Sequence, residues 1–512
     1  MTVLYNNSRM RGKLALWVLP LLLPLSVHSQ NLAQFEKQVT EFALPNGLHF
    51  VVLERHQAPV VSFSMHVNAG AVDDPAGRTG LAHMFEHMIG KGTPSLGTED
   101  YLHEKEALDE VEAVYDRIDA ERNKGTQTNA RVLESLQAEL QVAIDKANGY
   151  VDSSAYFRVI QQNGAVGFSA VTGMDSTSFS YSLPANRIEL WFLLQSEWLR
   201  QPVFREFYKE RDVLRNERGD RVESNPQGKL REMLMSTAFT VHPYRHLGGG
   251  SASDISSLRA SDARAFFHTY YVPANITVGI AGDVNPADVR RLADKYFRAI
   301  PAGPRPPALP AVEPRQVGEK RVAVETPSQP MLFLAYKRPD QYDKDDAAFD
   351  VLGAILSSGR TGWLYKDLVR DQSIALVAAA AATYPSGRYP CLFAFFAVPS
   401  PGHGVLEDER AIYAVLERLK REKVDPASLD RAKTQLRATM IRQLDSNSGL
   451  AAQLATFQAA YGNWRKLFTV AGEFNQVTAD DVQRLARTYF SDSARTVAWT
   501  VPSAAATKGV SR

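Results

Sequence analysis

Apolar and β-branched residues are concentrated in short runs near the start of the folded region, and these runs predict a β-sheet. Residues 48–53 and 59–67 are rich in valine and phenylalanine, with partial alternation of apolar and polar positions in the second run. Pro45-Asn46-Gly47, just before the first run, is typical of a tight turn between two strands. The pattern predicts a strand, a turn and a strand, and then a third strand.

A charged segment over residues 98–150 has a different period. Its apolar positions recur every three or four residues, as in amphipathic helices, on both sides of the turn-forming residues 123–126. The apolar positions are Leu108, Val111, Tyr115, Ile118, Leu133, Leu136 and Leu140. We predict an antiparallel helical hairpin that is inserted into the first unit and closes on itself; binding of a partner is the alternative.

Residues 1–29 have the three-part pattern of a secretory signal peptide. Basic residues precede an apolar run over residues 14–27, and cleavage is expected after Ser29. A membrane anchor is the competing interpretation, but about 20 apolar residues are needed to cross a bilayer. This run is shorter and is interrupted by Pro20 and Pro24. We therefore expect a soluble exported protein with no membrane span after signal removal, periplasmic in a Gram-negative source and secreted otherwise.

Six prolines between positions 301 and 314 predict a stiff linker. They divide the chain into an N-terminal domain (30–300), a linker (301–318), a C-terminal domain (319–503) and a tail (504–512).

The two domains share a pattern at a constant offset of 219 positions. The identical pairs are Asp262 and Asp481, Thr269 and Thr488, Tyr270 and Tyr489, Thr277 and Thr496, and Val278 and Val497. Each copy predicts a helix followed by a strand, so duplication explains the match better than chance does. The predicted fold class is α+β, with two related units that each have an antiparallel sheet and packed helices.

The composition excludes several kinds of function. In 512 residues, 45% are hydrophobic, and 58 basic residues balance 57 acidic ones, for a net charge of +1. A nearly neutral globular chain has no strong field for nucleic acid, so we expect no nucleic-acid partner. Cys391 is the single cysteine, in an apolar run that predicts burial. Disulfides within the chain and thiolate metal sites are therefore excluded, and any metal site must use histidine and carboxylates.

One short motif carries chemistry. His83 and His87 are four residues apart and Glu86 lies between them, so on a helix all three project from one side. Two neutral imidazoles suit zinc, whose catalytic sites use three protein ligands and leave a position for water. Zinc lowers the pKa of such a water, and Glu86 is placed to take its proton as a general base. The competing interpretation is a pair of surface or core histidines.

The residues around this motif resemble a known family. The run from His83 to Thr93 is similar to the inverted zinc motif of the pitrilysin and insulin-degrading enzyme metallopeptidases, which continues into a Lys-Gly-Thr here represented by Lys91-Gly92-Thr93. A second signature of the family matches residues 210–217. The resemblance implies that Glu217 is the third ligand of one Zn²⁺ per chain and that Glu210 is a supporting carboxylate.

The interval of 130 positions from His87 to Glu217 is longer than is usual in the family, and removal of the predicted hairpin would shorten it. Two further stretches match less specifically. Residues 163–172, which include Ser169 and Ala170, resemble the edge strand on which the family docks substrate peptides, with Ser169 in place of the usual Asn. Arg370 matches a family arginine that faces the substrate carbonyl, but the family's tyrosine seven positions later is missing, and a solvated helix charge is the alternative.

The resemblance implies an exported zinc metalloendopeptidase that hydrolyses peptides in an enclosed chamber. Chains of this size in the family supply two units and pair with a second chain, as in mitochondrial processing peptidase, so we expect a homodimer or a heterodimer with a related chain. The second half has no H-x-x-E-H and is expected to be inactive. Two alternatives remain: a catalytically silent peptide-binding or assembly subunit, and a metal-buffering protein, which would favour closed coordination.

Overall fold

A computed structural model describes residues 32–502 and divides them into two α+β units. The predicted signal peptide and the predicted tail 504–512 lie outside the described residues. Residues 301–318, where the prolines cluster, form neither helix nor strand.

The first unit has a sheet of six strands in the order β1-β2-β6-β3-β5-β4. The strands are β1 (Val39–Ala43), β2 (His49–Glu54), β3 (Val60–Val67), β4 (Val166–Thr172), β5 (Thr177–Pro184) and β6 (Ile276–Gly282). The helices are α1 (Leu32–Gln38), α2 (Leu81–Met88), α3 (Tyr101–Arg122), α4 (Ala130–Asn148), α5 (Ala155–Gln162), α6 (Ile188–Arg200), α7 (Phe207–Arg218), α8 (Pro226–Ala238), α9 (Ala252–Ser257), α10 (Ala260–Tyr270) and α11 (Pro286–Phe297). The predicted strands around the turn at residues 45–47 and after it are confirmed.

The second unit has a sheet of five strands in the order β7-β11-β8-β10-β9. The strands are β7 (Lys320–Thr326), β8 (Leu332–Arg338), β9 (Ala375–Tyr384), β10 (Cys391–Pro399) and β11 (Arg495–Pro502). The helices are α12 (Asp346–Ser357), α13 (Val405–Arg421), α14 (Pro426–Gln443), α15 (Asn447–Tyr461), α16 (Lys466–Gln476) and α17 (Ala479–Tyr489).

The two sheets have the same topology when β1 is set aside. In each, the last strand of the unit is inserted beside the first, and the remaining pairs follow in the same order and direction. Helix α10 and strand β6 correspond to α17 and β11 at the predicted offset. The prediction of two related α+β units is confirmed.

The expectation of purely antiparallel sheets is wrong for one pair in each unit. β2 pairs with β6, and β7 with β11, in parallel. Each pair joins a strand near the start of a unit to the last strand of that unit. The chain between the two strands includes helices, so the strands can run in the same direction. Each sheet is mixed.

The hairpin prediction is confirmed by α3 and α4, which pack against each other. The outer part of the pair encloses its own small core of Val114, Ile118 and Leu136. The inner part belongs to the main core of the first unit, since Ala107, Val111 and Ala143 pack there. The base of the hairpin is thus integrated into the unit and only its outer end projects.

Each unit covers the far face of the other unit's sheet with one helix. Helix α15 of the second unit packs on β2, β3 and β6, where Leu450 and Leu454 contact an apolar face that includes Val51 and Leu53. Helix α8 of the first unit packs on β7 and β11 in the same way. The central strands of both sheets are therefore buried on two faces. Within residues 32–502, none of the helices combines the length and apolar character needed to span a membrane.

Candidate metal centre

Helix α2, which carries the H-x-x-E-H motif, begins at a glycine with a left-handed backbone. Gly80 has a φ of 94°, which favours glycine because it has no Cβ. The Asp74 carboxylate accepts hydrogen bonds from the Gly80 amide at 2.7 Å and the Ala82 amide at 2.8 Å. This side chain satisfies amides that the helix itself leaves free, and it fixes where α2 starts.

One face of α2 is apolar and packs in the core. Leu81, Met84, Phe85 and Met88 are buried there. The histidines, four positions apart, lie on the other side with their ring centroids 5.2 Å apart. The apolar positions between the motif residues therefore orient the motif.

Helix α7 brings Glu217 to the two imidazoles. Glu217 Oε2 lies 3.7 Å from His83 Nε2, and Glu217 Oε1 lies 3.8 Å from His87 Nε2. One ligand atom from each of the three residues falls within 4.8 Å of the others. The structure thus brings together the pair predicted from spacing and the glutamate predicted from resemblance.

The three side chains fit a zinc ion. Glu217 Oε2 is buried and accepts no hydrogen bond of good geometry from the described residues, although the Arg221 guanidinium lies 3.2 Å away. Burial, with a smaller contribution from neighbouring positive charge, lowers the pKa of His83 to about 4, so its ring is neutral at pH 7 and can act as a ligand. Two ligand atoms of a tetrahedral zinc ion are roughly 3.3 Å apart. The two distances from Glu217 to the imidazoles exceed this by about half an ångström, and the widest spacing in the set is within 4.8 Å, so small side-chain movements would bring the three ligand atoms to one ion.

Glu86 lies beside this set and is held by the sheet. Its Oε2 accepts a hydrogen bond from the Thr172 amide at 2.8 Å. Thr172 is the last residue of β4, the strand at the edge of the first sheet. The bond leaves Oε1 without a hydrogen-bond donor among the described residues, and this oxygen can take a proton.

Glu210 and Lys91 support His87 through its Nδ1 atom. The ring nitrogen Nδ1 of His87 lies 3.1 Å from Glu210 Oε2, and Glu210 Oε1 lies 2.5 Å from Lys91 Nζ. Burial opposes ionisation of Glu210, but the hydrogen bonds from His87 and Lys91 outweigh it and lower its pKa to about 2. An ionised Glu210 keeps the proton of His87 on Nδ1, so that Nε2 faces Glu217 with its lone pair. Lys91 is itself held by Glu206, whose Oε2 lies 2.7 Å away.

The loop that follows α2 is tied down by a buried arginine. Arg205 is fully buried and donates to the backbone carbonyls of Lys91, Thr93 and Leu96 at 2.7 to 3.0 Å. Its guanidinium also makes a two-pronged pair with Glu104 of α3, which is equally buried. The base of the hairpin therefore fixes the loop that carries Lys91.

A cavity of about 330 Å³ opens beside the metal centre. His83 and Glu217 line one side, and Arg231 of α8 lines another. Tyr384, at the end of β9, and Pro385 reach it from the second unit. Sequence reasoning missed Arg231 and Tyr384, because neither lies in a motif and only the packing of α8 and β9 brings them here.

The structure does not bring Arg370 to this centre. It lies in a π-helical turn (Tyr365–Asp371), is exposed, and pairs with the adjacent Asp371 at 2.6 Å. It is absent from the lining of the cavity, where Tyr384 is the second unit's polar side chain. Ser169 and Ala170 lie on β4 and pair with Ser180 and Phe179 of β5, so the other edge of their strand has no partner among the described strands.

Cys391 is buried on β10, and burial raises the pKa of its thiol to about 11. A thiol with such a pKa is a poor nucleophile, as the sequence predicts.

Among the described residues, an H-x-x-E-H helix and a distant glutamate meet on the first of two repeated α+β units. This combination is typical of proteins with an inverted zinc motif. The chain belongs to peptidase family M16, the insulinase family. The family model described as insulinase (peptidase family M16) matches residues 50–113 and 143–247, and the model of the M16 inactive domain matches residues 257–436. The interruption between 113 and 143 covers the outer part of the hairpin.

Relatives of the chain extend over nearly all of it. The zinc protease PqqE of Helicobacter pylori is 25% identical over 493 residues, which cover 95% of this chain and 97% of that protein. A probable mitochondrial-processing peptidase subunit beta of Arabidopsis thaliana is 22% identical, over 91% of this chain and 79% of that one.

Solved structures share the fold. The crystal structure of a protease from Helicobacter pylori has a TM-score of 0.75 and 24% identity, and covers 91% of this chain and 99% of its own. That of a peptidase M16 inactive domain from Pseudomonas fluorescens has a TM-score of 0.70 and 17% identity, over 91% and 98%.

Proposed function

We propose that the protein is a zinc-dependent endopeptidase that hydrolyses peptides at the centre formed by His83, His87 and Glu217. The observation that carries this proposal is the convergence of three ligand atoms within 4.8 Å, with Glu217 Oε2 buried and without a hydrogen bond of good geometry. Such a three-ligand set is open, as hydrolysis requires, whereas metal storage would favour closed coordination. The relatives named zinc proteases agree with this chemistry.

Each nearby residue has a part in this reaction. Zinc, when bound, would polarise a substrate carbonyl and make water more acidic. Glu86 takes the proton of the attacking water on Oε1 and returns it to the leaving amine, while the Thr172 amide holds its other oxygen. Glu210 keeps the His87 ring in the orientation that turns Nε2 toward Glu217. The free edge of β4 offers main-chain hydrogen bonds to an extended substrate.

The test compares zinc content and peptide hydrolysis in the wild type and in Glu86→Gln. Because Glu86 is a base and not a ligand, the variant should keep its zinc and lose activity by on the order of a hundredfold or more, the usual contribution of a general base. Glu139→Gln, on the exposed face of the hairpin, makes the same change away from the site and should match the wild type.

A wild type that holds zinc but turns over no peptide, equal to Glu86→Gln, would favour a silent peptide-binding subunit. The match of an inactive-domain model to the second half and the position of Arg370 away from the centre make this the second candidate. Loss of zinc in Glu86→Gln would instead contradict the assignment of Glu86 as the base.

We further propose that the protein is exported and works as a dimer that encloses its substrate. Export is supported by the pattern of residues 1–29, and pairing by the relative that is a subunit of a larger peptidase. An intact N-terminus on protein recovered from its own cells would contradict export, and a monomer by light scattering at micromolar concentration would contradict pairing.

A further inference from the structure

The cavity beside the metal centre is lined by more positive than negative side chains. Its charged residues are Arg218, Arg221 and Arg231 against Glu217 alone, with His83 and His246 as the titratable rings. A bound divalent ion would add to this excess. The cavity therefore has an electrostatic preference for an anionic group.

Two of the three arginines are already paired. Arg218 is buried, donates to Glu232 at 2.7 Å and also contacts the Gly250 carbonyl. Arg221 lies 3.2 Å from Glu217, which precedes it by one helical turn. Neither guanidinium is free for a ligand without giving up a carboxylate.

Arg231 is different. It is exposed and makes no hydrogen bond and no ion pair with any residue that the structure describes, yet it lines the same cavity as His83. Tyr384 also lines the cavity. Burial raises its pKa to about 12, and the positive charge of Arg231 opposes part of this rise. The phenol is therefore protonated at pH 7 and can donate a hydrogen bond, and this tyrosine and the unpaired arginine line the same cavity.

The edge strand β4 leads into this space. β4 ends at Thr172, whose amide holds the Glu86 carboxylate, and Thr172, Gly173 and Met174 line the cavity directly beyond. An extended peptide that pairs with β4 and passes Glu86 carries its next residue into the cavity.

We propose that Arg231 determines specificity by binding a carboxylate of the substrate, from an aspartate or glutamate side chain or from the peptide's C-terminus, next to the bond that is cut. Arg231 presents two parallel N–H groups to a carboxylate, and the Tyr384 hydroxyl donates a further hydrogen bond. The inference rests on the proposed peptidase function and names its substrate class.

The test uses matched fluorogenic peptides in which one Glu is moved through the three positions on each side of the scissile bond. Each has a Gln and a Lys counterpart, and a second set compares a free C-terminus with its amide. We expect one position at which the wild type has a kcat/KM at least about tenfold higher for Glu than for Gln. If the carboxylate source is the C-terminus, the free acid is preferred over the amide instead.

The variants separate a direct contact from a general charge effect. In Arg231→Gln the preference should fall to about one, and in Arg231→Glu it should reverse in favour of Lys, a gain that a misfolded protein cannot show. Arg215→Gln removes the same charge from an exposed position on α7 that lies outside the cavity, and it should keep the wild-type preference. An unchanged Glu preference in Arg231→Gln, or its equal loss in Arg215→Gln, would overturn the proposal.

Binding to Glu86→Gln distinguishes this inference from the proposed function. Fluorescence anisotropy of the same peptides on that variant measures the preference without turnover. If the wild type cuts no peptide but Glu86→Gln binds the Glu peptide more tightly, with the preference lost on adding Arg231→Gln, the inference stands and the peptidase function fails. If peptides are cut with no carboxylate preference at any position, the inference fails and the function stands.

Discussion

A buried imidazole on β3 makes the stability of the fold depend on pH. His66 is 5% exposed, and its Nδ1 lies 3.1 Å from the Ser178 hydroxyl. Burial, with a smaller effect from the positive charge of Arg388, lowers the pKa of His66 from 6.5 to about 4. The folded protein therefore holds this ring neutral, whereas the unfolded chain protonates it at a higher pH.

The free energy of unfolding contributed by His66 is fully present above about pH 6.5 and is lost as the pH falls toward 4. At pH 5 the loss is about 2 kcal/mol. We predict that the free energy of unfolding falls less in His66→Asn than in the wild type between pH 7 and pH 5, by about 2 kcal/mol. The asparagine keeps a polar partner for Ser178. Urea unfolding of both proteins with a chelator measures the difference, so that metal release does not contribute.

The exposed His268→Asn serves as the control and should retain the wild-type response to pH. Equal pH dependence in the wild type and in His66→Asn would show that the fold accommodates the charged ring.

The site residues differ in how well sequence predicts them. His83, Glu86 and His87 come from one helix, where local spacing determines which side chains meet. Glu217 has no local signal and was reached through resemblance to a family. Arg231 and Tyr384 lie on elements that meet only after the two units pack, and a pattern within one segment contains no information about such contacts.

At the scale of elements, the loop after α2 depends on a helix that sequence reasoning treated as an insertion. Arg205 and Glu104 are both fully buried, and the arginine holds the loop by its carbonyls. Removing one partner of such a pair leaves an uncompensated charge in the core, which is far more costly than losing a surface pair.

We predict that Arg205→Met lowers the free energy of unfolding by about 3–5 kcal/mol. Arg117→Met, which breaks the exposed pair between α3 and Glu139, should cost less than about 1 kcal/mol. Chemical denaturation of the two variants checks this contrast. Similar small losses in both would mean that Glu104 finds another partner or is protonated at little cost.

Helices and strands were more predictable than their arrangement. Turn residues and apolar periodicity located the early strands and the hairpin because those signals are local. The parallel pairs β2–β6 and β7–β11 join strands from opposite ends of a unit, so no local pattern specifies them. Arg370 lies in a π-helical turn, whose hydrogen bonding differs from that of an α-helix in a way that apolar spacing does not reveal.

At the scale of the whole molecule, α8 and α15 are further evidence of duplication, because each packs on the sheet of the other unit. Each has a glycine at its third position, Gly228 in α8 and Gly449 in α15. A Cβ would lie 2.0 Å from the carbonyl oxygen of Arg221 in the first case and of Gln443 in the second. The two glycines meet the same kind of obstacle at equivalent places. The repeat found in α10 and α17 therefore extends to the helices that join the units.

The contact of α15 with the first sheet has no spare room at Gly279 of β6. A Cβ there would lie 2.0 Å from the Ala451 carbonyl oxygen of α15. We predict that Gly279→Ala pushes the helix from the sheet and lowers the free energy of unfolding by about 1–3 kcal/mol, the usual cost of overpacking. Thermal and urea unfolding measure the loss.

Gly472→Ala is the matched control, since Gly472 lies in α16 with nothing within 4 Å of the added Cβ. This change should raise stability by about 0.5–1 kcal/mol, because alanine favours a helix. A Gly279→Ala protein as stable as the wild type would mean that α15 does not press on β6.

The packing of α15 on the first unit's sheet also affects folding during synthesis. The first unit is synthesised before the second, but residues 447–461, which cover the outer face of its sheet, belong to the second unit. Until they arrive, Val51, Leu53 and Ala281 form an uncovered apolar surface. A nascent or truncated first unit therefore exposes an apolar surface that favours aggregation, and its sheet is completed only after a helix of the second unit has been synthesised.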